Sequence, residues 1–140
     1  MQPGGDGDVG DDETAASLLG WLAEQGYSRT AEVVDERENG NRLTRMLRGD
    51  CQVTVSRDRG QWYVEAGPPD RDGFDMNLWE AHLRGEQPSL EPQQFDAEAR
   101  LLRNLLHEIE RTLVLDAEAV ESLDRFRAWV QEARWSSQAH

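Results

Sequence analysis

Among the 140 residues of this chain, few side chains are of a kind that does chemistry: one cysteine, three histidines and a large excess of carboxylates. Asp70, Asp72 and Asp75 fall in the pattern Asp-x-Asp-Gly-x-Asp around Gly73, which suggests a calcium loop. Placing Gly73 at the sharp turn of such a loop puts Pro68 at its first position and Trp79 at its last, where Asp and Glu ligands are required. The match fails, and a surface turn followed by a helix cap accounts for all three Asp residues. His82, His107 and His140 are scattered, and His107-Glu108 has no second His at metalloprotease spacing. One Cys and isolated His residues do not make a structural zinc site. A nucleophilic Cys51 would need a base and an electropositive setting, but it falls on the core side of an alternating run and reads as a small buried hydrophobe. The serine-hydrolase elbow, the phosphate loop and the dinucleotide glycine pattern do not occur. Carboxylates are too numerous for any pair to be singled out for acid–base hydrolysis. The sequence therefore names no catalytic, cofactor-binding or metal residue, and the chain reads as non-enzymatic.

Charge is the stronger signal. There are 28 acidic against 15 basic residues, a net charge of -13, and every basic residue is Arg. The all-Arg usage fits GC-rich coding in a bacterium. A nucleic-acid partner calls for a basic patch, and an anionic membrane surface is disfavoured for the same reason. A basic protein partner is favoured, because opposite fields steer encounter. The candidate contacts are the acidic clusters Asp35-Glu36-x-Glu38 and Asp70-x-Asp72-x-x-Asp75, the loop residue Asp58, and Tyr63, which alternation places opposite the core face. An ordinary solvated surface is the competing reading of these acids.

The elements that would position these groups follow from periodicity. Residues 1–13 carry acids and Gly with little to bury, and read as a disordered acidic tail. Thr14 opens a helix to about Gln25, with Ala15, Leu18, Leu19 and Leu22 in one stripe and Gly26 as its stop. Residues 28–38 fit either a short helix or a strand; the tight-turn signal Asn39-Gly40 favours a strand. Arg42–Leu47 alternates, and Arg48-Gly49-Asp50, an integrin-type tripeptide, is turn chemistry. Cys51–Ala66 is the clearest hairpin: Cys51, Val53, Val55 and Trp62, Val64, Ala66 form a core side, with Tyr63 and Glu65 opposite. Gly67-Pro68-Pro69 ends it. Asp75 caps a helix to about Arg84, with Phe74 and Trp79 at staple spacing, and residues 86–94 make a surface linker. Asp96 opens a long helix with Leu101, Leu105, Ile109 and Leu113 in register. Asp116 caps a last helix carrying Ala119, Leu123, Phe126 and Val130, antiparallel to it across a short connection. Strands cluster in the middle and helices at the ends. The expected fold is α+β: an antiparallel meander of three to four strands packed against an N-terminal helix and a C-terminal helix pair. A single domain spans residues 14–135, with a frayed tail over 136–140.

One cysteine excludes an internal disulfide and suits a reducing compartment. No apolar run reaches the ~18–20 residues of a membrane span. The first 13 residues lack the charge and apolar core of a secretory signal, so a cytoplasmic location is expected.

At V-S-R-D-R-G-Q-W-Y-V, then G-P-P, then F-D-x-x-L-W and a helical C-terminus, the chain resembles small acidic actinobacterial proteins of the immunity type, encoded beside polymorphic toxins. The resemblance covers Cys51–Trp79 and, more loosely, the C-terminal helices. It implies a binding protein that neutralises a basic toxin such as a nuclease, and it carries no catalytic residue across. The alternative is a secretion chaperone or scaffold offering a sheet or helix-pair groove. An enzyme would require a deep pocket with convergent polar groups and perturbed titratable residues.

Overall fold

A computed structural model describes residues 6–35 and 40–138. Its elements run α1 (Asp6–Glu24), β1 (Ser28–Asp35), β2 (Asn41–Arg48), β3 (Cys51–Asp58), β4 (Gln61–Gly67), β5 (Phe74–Asp75), α2 (Met76–Arg84), α3 (Phe95–Leu115) and α4 (Ala119–Gln138). The fold is α+β: an N-terminal helix, a five-stranded antiparallel meander in the order β1-β2-β3-β4-β5, and helices packed on the sheet.

The sheet is built as the alternation demands. Val53 faces Ala66 and Val55 faces Val64 across β3 and β4, and Met46 stands opposite Val53 from β2. All five are buried. The β3–β4 connection is a two-residue loop with Arg59 at φ 54° and Gly60 at φ 83°, the left-handed pair a tight hairpin turn requires. Residues 28–35 resolve as a strand, with a register shift between Arg29 and Ala31. β1 is almost wholly exposed apart from Ala31, because only β2 lies beside it.

Helix α1 buries Ala15, Leu18 and Leu22 and docks on α3, where Arg103 donates to Ser17 Oγ at 3.0 Å. Trp62 stacks on Phe95 at 5.9 Å, which ties β4 to the start of α3. Trp79, fully buried, donates its indole N–H to the carbonyl of Ala66 at 2.7 Å. Its ring meets Phe74 edge-on at 6.5 Å, so the staple spacing is realised. α4 is tied to the β4–β5 turn by a two-pronged ion pair, Arg71 to Asp124 at 2.8 and 2.7 Å. Arg127 donates to the Gly73 carbonyl at 2.8 Å.

Several expectations need correction. The sheet has five strands rather than three or four, because β5 is two residues long and leaves no periodic trace. The helix opens at Asp6 rather than at Thr14, so Asp6–Glu13, expected as tail, is helical. Within it Asp12 accepts the Trp62 indole N–H at 2.8 Å. Asp75 occupies the cap position of α2 but makes no capping bond from its side chain. Asp96 is not a cap, since α3 starts at Phe95 behind Gln94, and Asp96 pairs with Arg100 at 3.1 Å instead. Asp116 ends α3; its carboxylate accepts the Glu118 N–H at 3.0 Å on the way into α4. Residues 136–138, expected to fray, belong to α4. Among the described residues no helix is long and apolar enough to cross a membrane.

Candidate functional site

The acids singled out in the sequence do not form one patch. Asp35 stands opposite Asn41 in the β1–β2 pair, and Asn41 donates to Asp58 at 3.2 Å, which places Asp35 and Asp58 at one end of the sheet. Asp70 and Asp72, both exposed, lie beyond the other end of β4. At ~3.3 Å per residue, the strand separates the two groups by roughly 20 Å. Tyr63 lies between them, 39% exposed, its hydroxyl turned back on Gln61 at 2.7 Å. Glu36 and Glu38 lie outside the described residues.

The structure instead gathers Asp75, one of the acids singled out in the sequence, with Glu65 and Glu98, which sequence reasoning passed over. β5 covers only Glu65 and Ala66 of β4, with Glu65 directly opposite Asp75. Two carboxylates across an antiparallel pair repel unless something offsets them. Glu98 joins them from the first turns of α3. It sits three residues after Phe95 and four before Leu102, on the buried stripe of that helix, and is itself only 8% exposed. Arg127 and Arg134, seven residues apart on α4 and so on one face, approach from the opposite side.

Two adjoining clefts run through this group. The first, about 470 Å³, is lined by Trp62, Tyr63, Asp75, Asn77, Glu98 and Arg134. The second, about 390 Å³, shares Asp75, Asn77 and Arg134 and adds Glu65, Asp72 and Arg127. Both arginines are already engaged with backbone: Arg127 with Gly73 at 2.8 Å and Arg134 with Leu90 at 3.4 Å. Among the described residues no side-chain hydrogen bond or ion pair reaches the Glu98 carboxyl. The residue is buried, and its side chain lines the first cleft.

The electrostatics follow from that arrangement. Burial, then repulsion from Asp75 and Glu65, pushes the Glu98 carboxyl up to about 8. Burial, then Asp75, raises Glu65 to about 7 against the pull of Arg127. Burial also raises Asp75, opposed by Arg127 and Arg134. Desolvation outweighs the two guanidinium groups throughout, because neither is hydrogen-bonded to a carboxylate here. Chemically, the clefts hold acids that exchange protons near neutrality and a negative field with unfilled acceptor positions.

The other reactive types are accounted for by packing. Cys51 is buried, its thiol pushed up to about 11 by burial, and it neighbours Tyr27. Tyr27 donates to Glu110 at 2.6 Å, and Glu110 also meets Arg48 at 3.4 Å and His107 at 3.2 Å. His82 lies against Ser122 and Asp116 at 3.3 and 3.7 Å. Among the described residues no group of three His, Cys, Asp or Glu side chains is placed to hold a metal ion.

A usable signal for Glu98 lay in the helical period. The stripe Phe95, Ala99, Leu102, Leu106, Ile109 leaves Glu98 an acid on an apolar face. For Glu65 and Asp75 no such signal existed, since their pairing depends on a two-residue strand. Comparison with protein-family models, with curated proteins and with solved structures returns no match for this chain.

Proposed function

We propose that this chain is a non-enzymatic, cytoplasmic binding module for a basic protein, of the kind that neutralises a toxin. The supporting observation is the charge of -13 displayed at both ends of the sheet, at Asp58 and at Asp70 and Asp72, and concentrated between them in the carboxylate clefts. Such a surface accelerates encounter with a basic partner and rejects acidic ones. The test is binding of the basic proteins encoded beside this gene, measured calorimetrically at low and high salt. Affinity falling steeply with salt supports the reading. No binding, or affinity indifferent to salt, overturns it.

A second reading, an acid–base enzyme, draws on the clefts themselves. A carboxyl held near neutrality is what a general acid requires, and Glu98 and Glu65 both meet that condition. Turnover of a glycoside or ester that Glu98→Gln abolishes would move the assignment there. The scaffold alternative draws on β1, where Val33 and Val34 are exposed. As consecutive strand residues they point to opposite faces and so do not combine into one groove.

A further inference from the structure

We propose that the cleft over Glu98 is a recognition site for a guanidinium group, an arginine side chain of the basic partner, with Glu98, Asp75 and Glu65 as its acceptors. The inference rests on the binding reading above and names the place where that partner is held most specifically.

Three observations carry it. Glu98 is more than nine-tenths buried, with its carboxyl unpartnered among the described residues, and lines a cleft of about 470 Å³. With no protein donor among the described residues, the carboxyl opens only to the cleft, so a ligand donor placed there would favour its ionised form. The three acceptors are also spread over two adjoining clefts that share Asp75. Among the described residues they form no metal-holding group, whereas a planar cation with five N–H donors can satisfy acceptors that lie apart. The mouth is polar and aromatic as well, with Trp62 and Tyr63 beside the path; such faces suit a guanidinium.

The charges facing the site come from every element around it. Glu65 and Tyr63 come from β4, Asp72 from the turn and Asp75 from β5. Glu98 belongs to α3, and Arg127 and Arg134 to α4, while Glu91 and Asp11 stand at the rim. Carboxylates outnumber guanidinium groups, and Arg127 is further occupied over the Phe74 ring at 4.3 Å. An incoming cation is therefore favoured over an anion. Its arrival stabilises the ionised form of Glu98, so binding releases a proton and strengthens as the pH rises. For an acid raised to about 8, each pH unit below that value weakens binding by up to ~10-fold.

The test uses the full chain with the tripeptide acetyl-Gly-Arg-Gly-amide as probe, its neutral citrulline counterpart, and spermidine as a free cation. Titrations are followed by calorimetry at pH 6 and 8 and by carbon NMR of the Glu carboxyl groups. The arginine peptide is expected to move the Glu98 and Glu65 signals toward their ionised positions. It should bind at least ~10-fold more tightly at pH 8 than at pH 6, with no binding of the citrulline peptide. Glu98→Gln should bind it at least ~10-fold more weakly at pH 8, with unchanged circular dichroism. Equal binding of both peptides, a flat pH profile, wild-type binding by Glu98→Gln, or a response to spermidine alone would each overturn the assignment. The two readings fail separately. A basic partner that binds wild type and Glu98→Gln alike removes the cleft but keeps the module. An arginine peptide that docks when no basic protein does removes the partner reading and leaves a cation site.

Discussion

Replacing Glu98 by Gln separates the cost of its buried charge from the value of its shape. The amide nearly matches the protonated carboxyl in volume and cannot ionise. Each tenfold gain in proton affinity is worth ~1.36 kcal/mol. Raising Glu98 from its ordinary 4.5 to about 8 therefore places roughly 4–5 kcal/mol of pH-dependent instability on this carboxyl. Water reaching it through the cleft lowers that figure, and we expect about 2–4 kcal/mol. The sign follows from proton uptake. Between 4.5 and 8 the folded chain holds more protons than the unfolded one, so stability is fully present at the acid end and is lost as the pH climbs through 8. Glu65, raised to about 7, adds a loss of the same sign. Urea unfolding at pH 5, 7 and 9 measures it; guanidinium chloride is avoided because its cation is the one the cleft is proposed to bind. Wild type should weaken steadily from pH 5 to 9. Glu98→Gln should match it within ~0.5 kcal/mol at pH 5 and exceed it by about 2–4 kcal/mol at pH 9. A variant that is less stable by the same amount at every pH would show that Glu98 is ionised and paired, and would refute the reasoning.

Other perturbations probe what holds the cleft in place. Trp79→Phe removes the indole bond to the Ala66 carbonyl and leaves a void beside Phe74, and should cost about 2–3 kcal/mol in urea unfolding. Gly73→Ala places a methyl 3.0 Å from the Ala66 nitrogen and from Glu65 Cβ. Backbone cannot yield there, so β5 should part from β4 at a cost of about 1–3 kcal/mol, with faster amide exchange at Ala66 as the local readout. Burial, Cys51 and Glu110 all push the Tyr27 phenol upward, so it remains a donor at any working pH. Tyr27→Phe strips that donor from Glu110 and should cost about 1–2 kcal/mol, and a loss below ~0.3 kcal/mol would show that the bond to Glu110 has little worth.

How far the sequence foretold this depends on the range over which each feature is specified. The alternation of Cys51, Val53, Val55 and Trp62, Val64, Ala66 is local, and it fixed both the strands and the face they bury. The Phe74–Trp79 staple is equally local and is present. The start of α1 was misjudged because Asp6–Glu13 has almost nothing to bury. Among its described contacts is one from Asp12 to Trp62, fifty residues away. β5 escaped because two residues carry no period. With it went the pairing of Glu65 with Asp75; the sequence shows Asp75 only as a cap and as one member of an acidic turn. Among the candidate contacts, Asp35 and Asp58 lie at one sheet end, each beside Asn41, but nothing local could place Asp70 and Asp72 at the other.

That division bears on the function. Acids chosen for their density in sequence turn out to be exposed and separated, which suits steering more than grip, since exposed pairs are worth only ~0–1 kcal/mol each. The acids assembled by topology, Glu98 buried and Glu65 and Asp75 half-buried, repel one another. Holding them costs stability. On the proposed reading, the cost of such a group on the core stripe of α3, lining a cleft of about 470 Å³, is offset when a cation arrives. On the same reading, the distributed charge would set how fast a basic partner finds the surface, and the three carboxylates of the clefts how long it stays. Mutations at Asp58, Asp70 and Asp72 should therefore act on the association rate, and mutations at Glu98 and Glu65 on the dissociation rate.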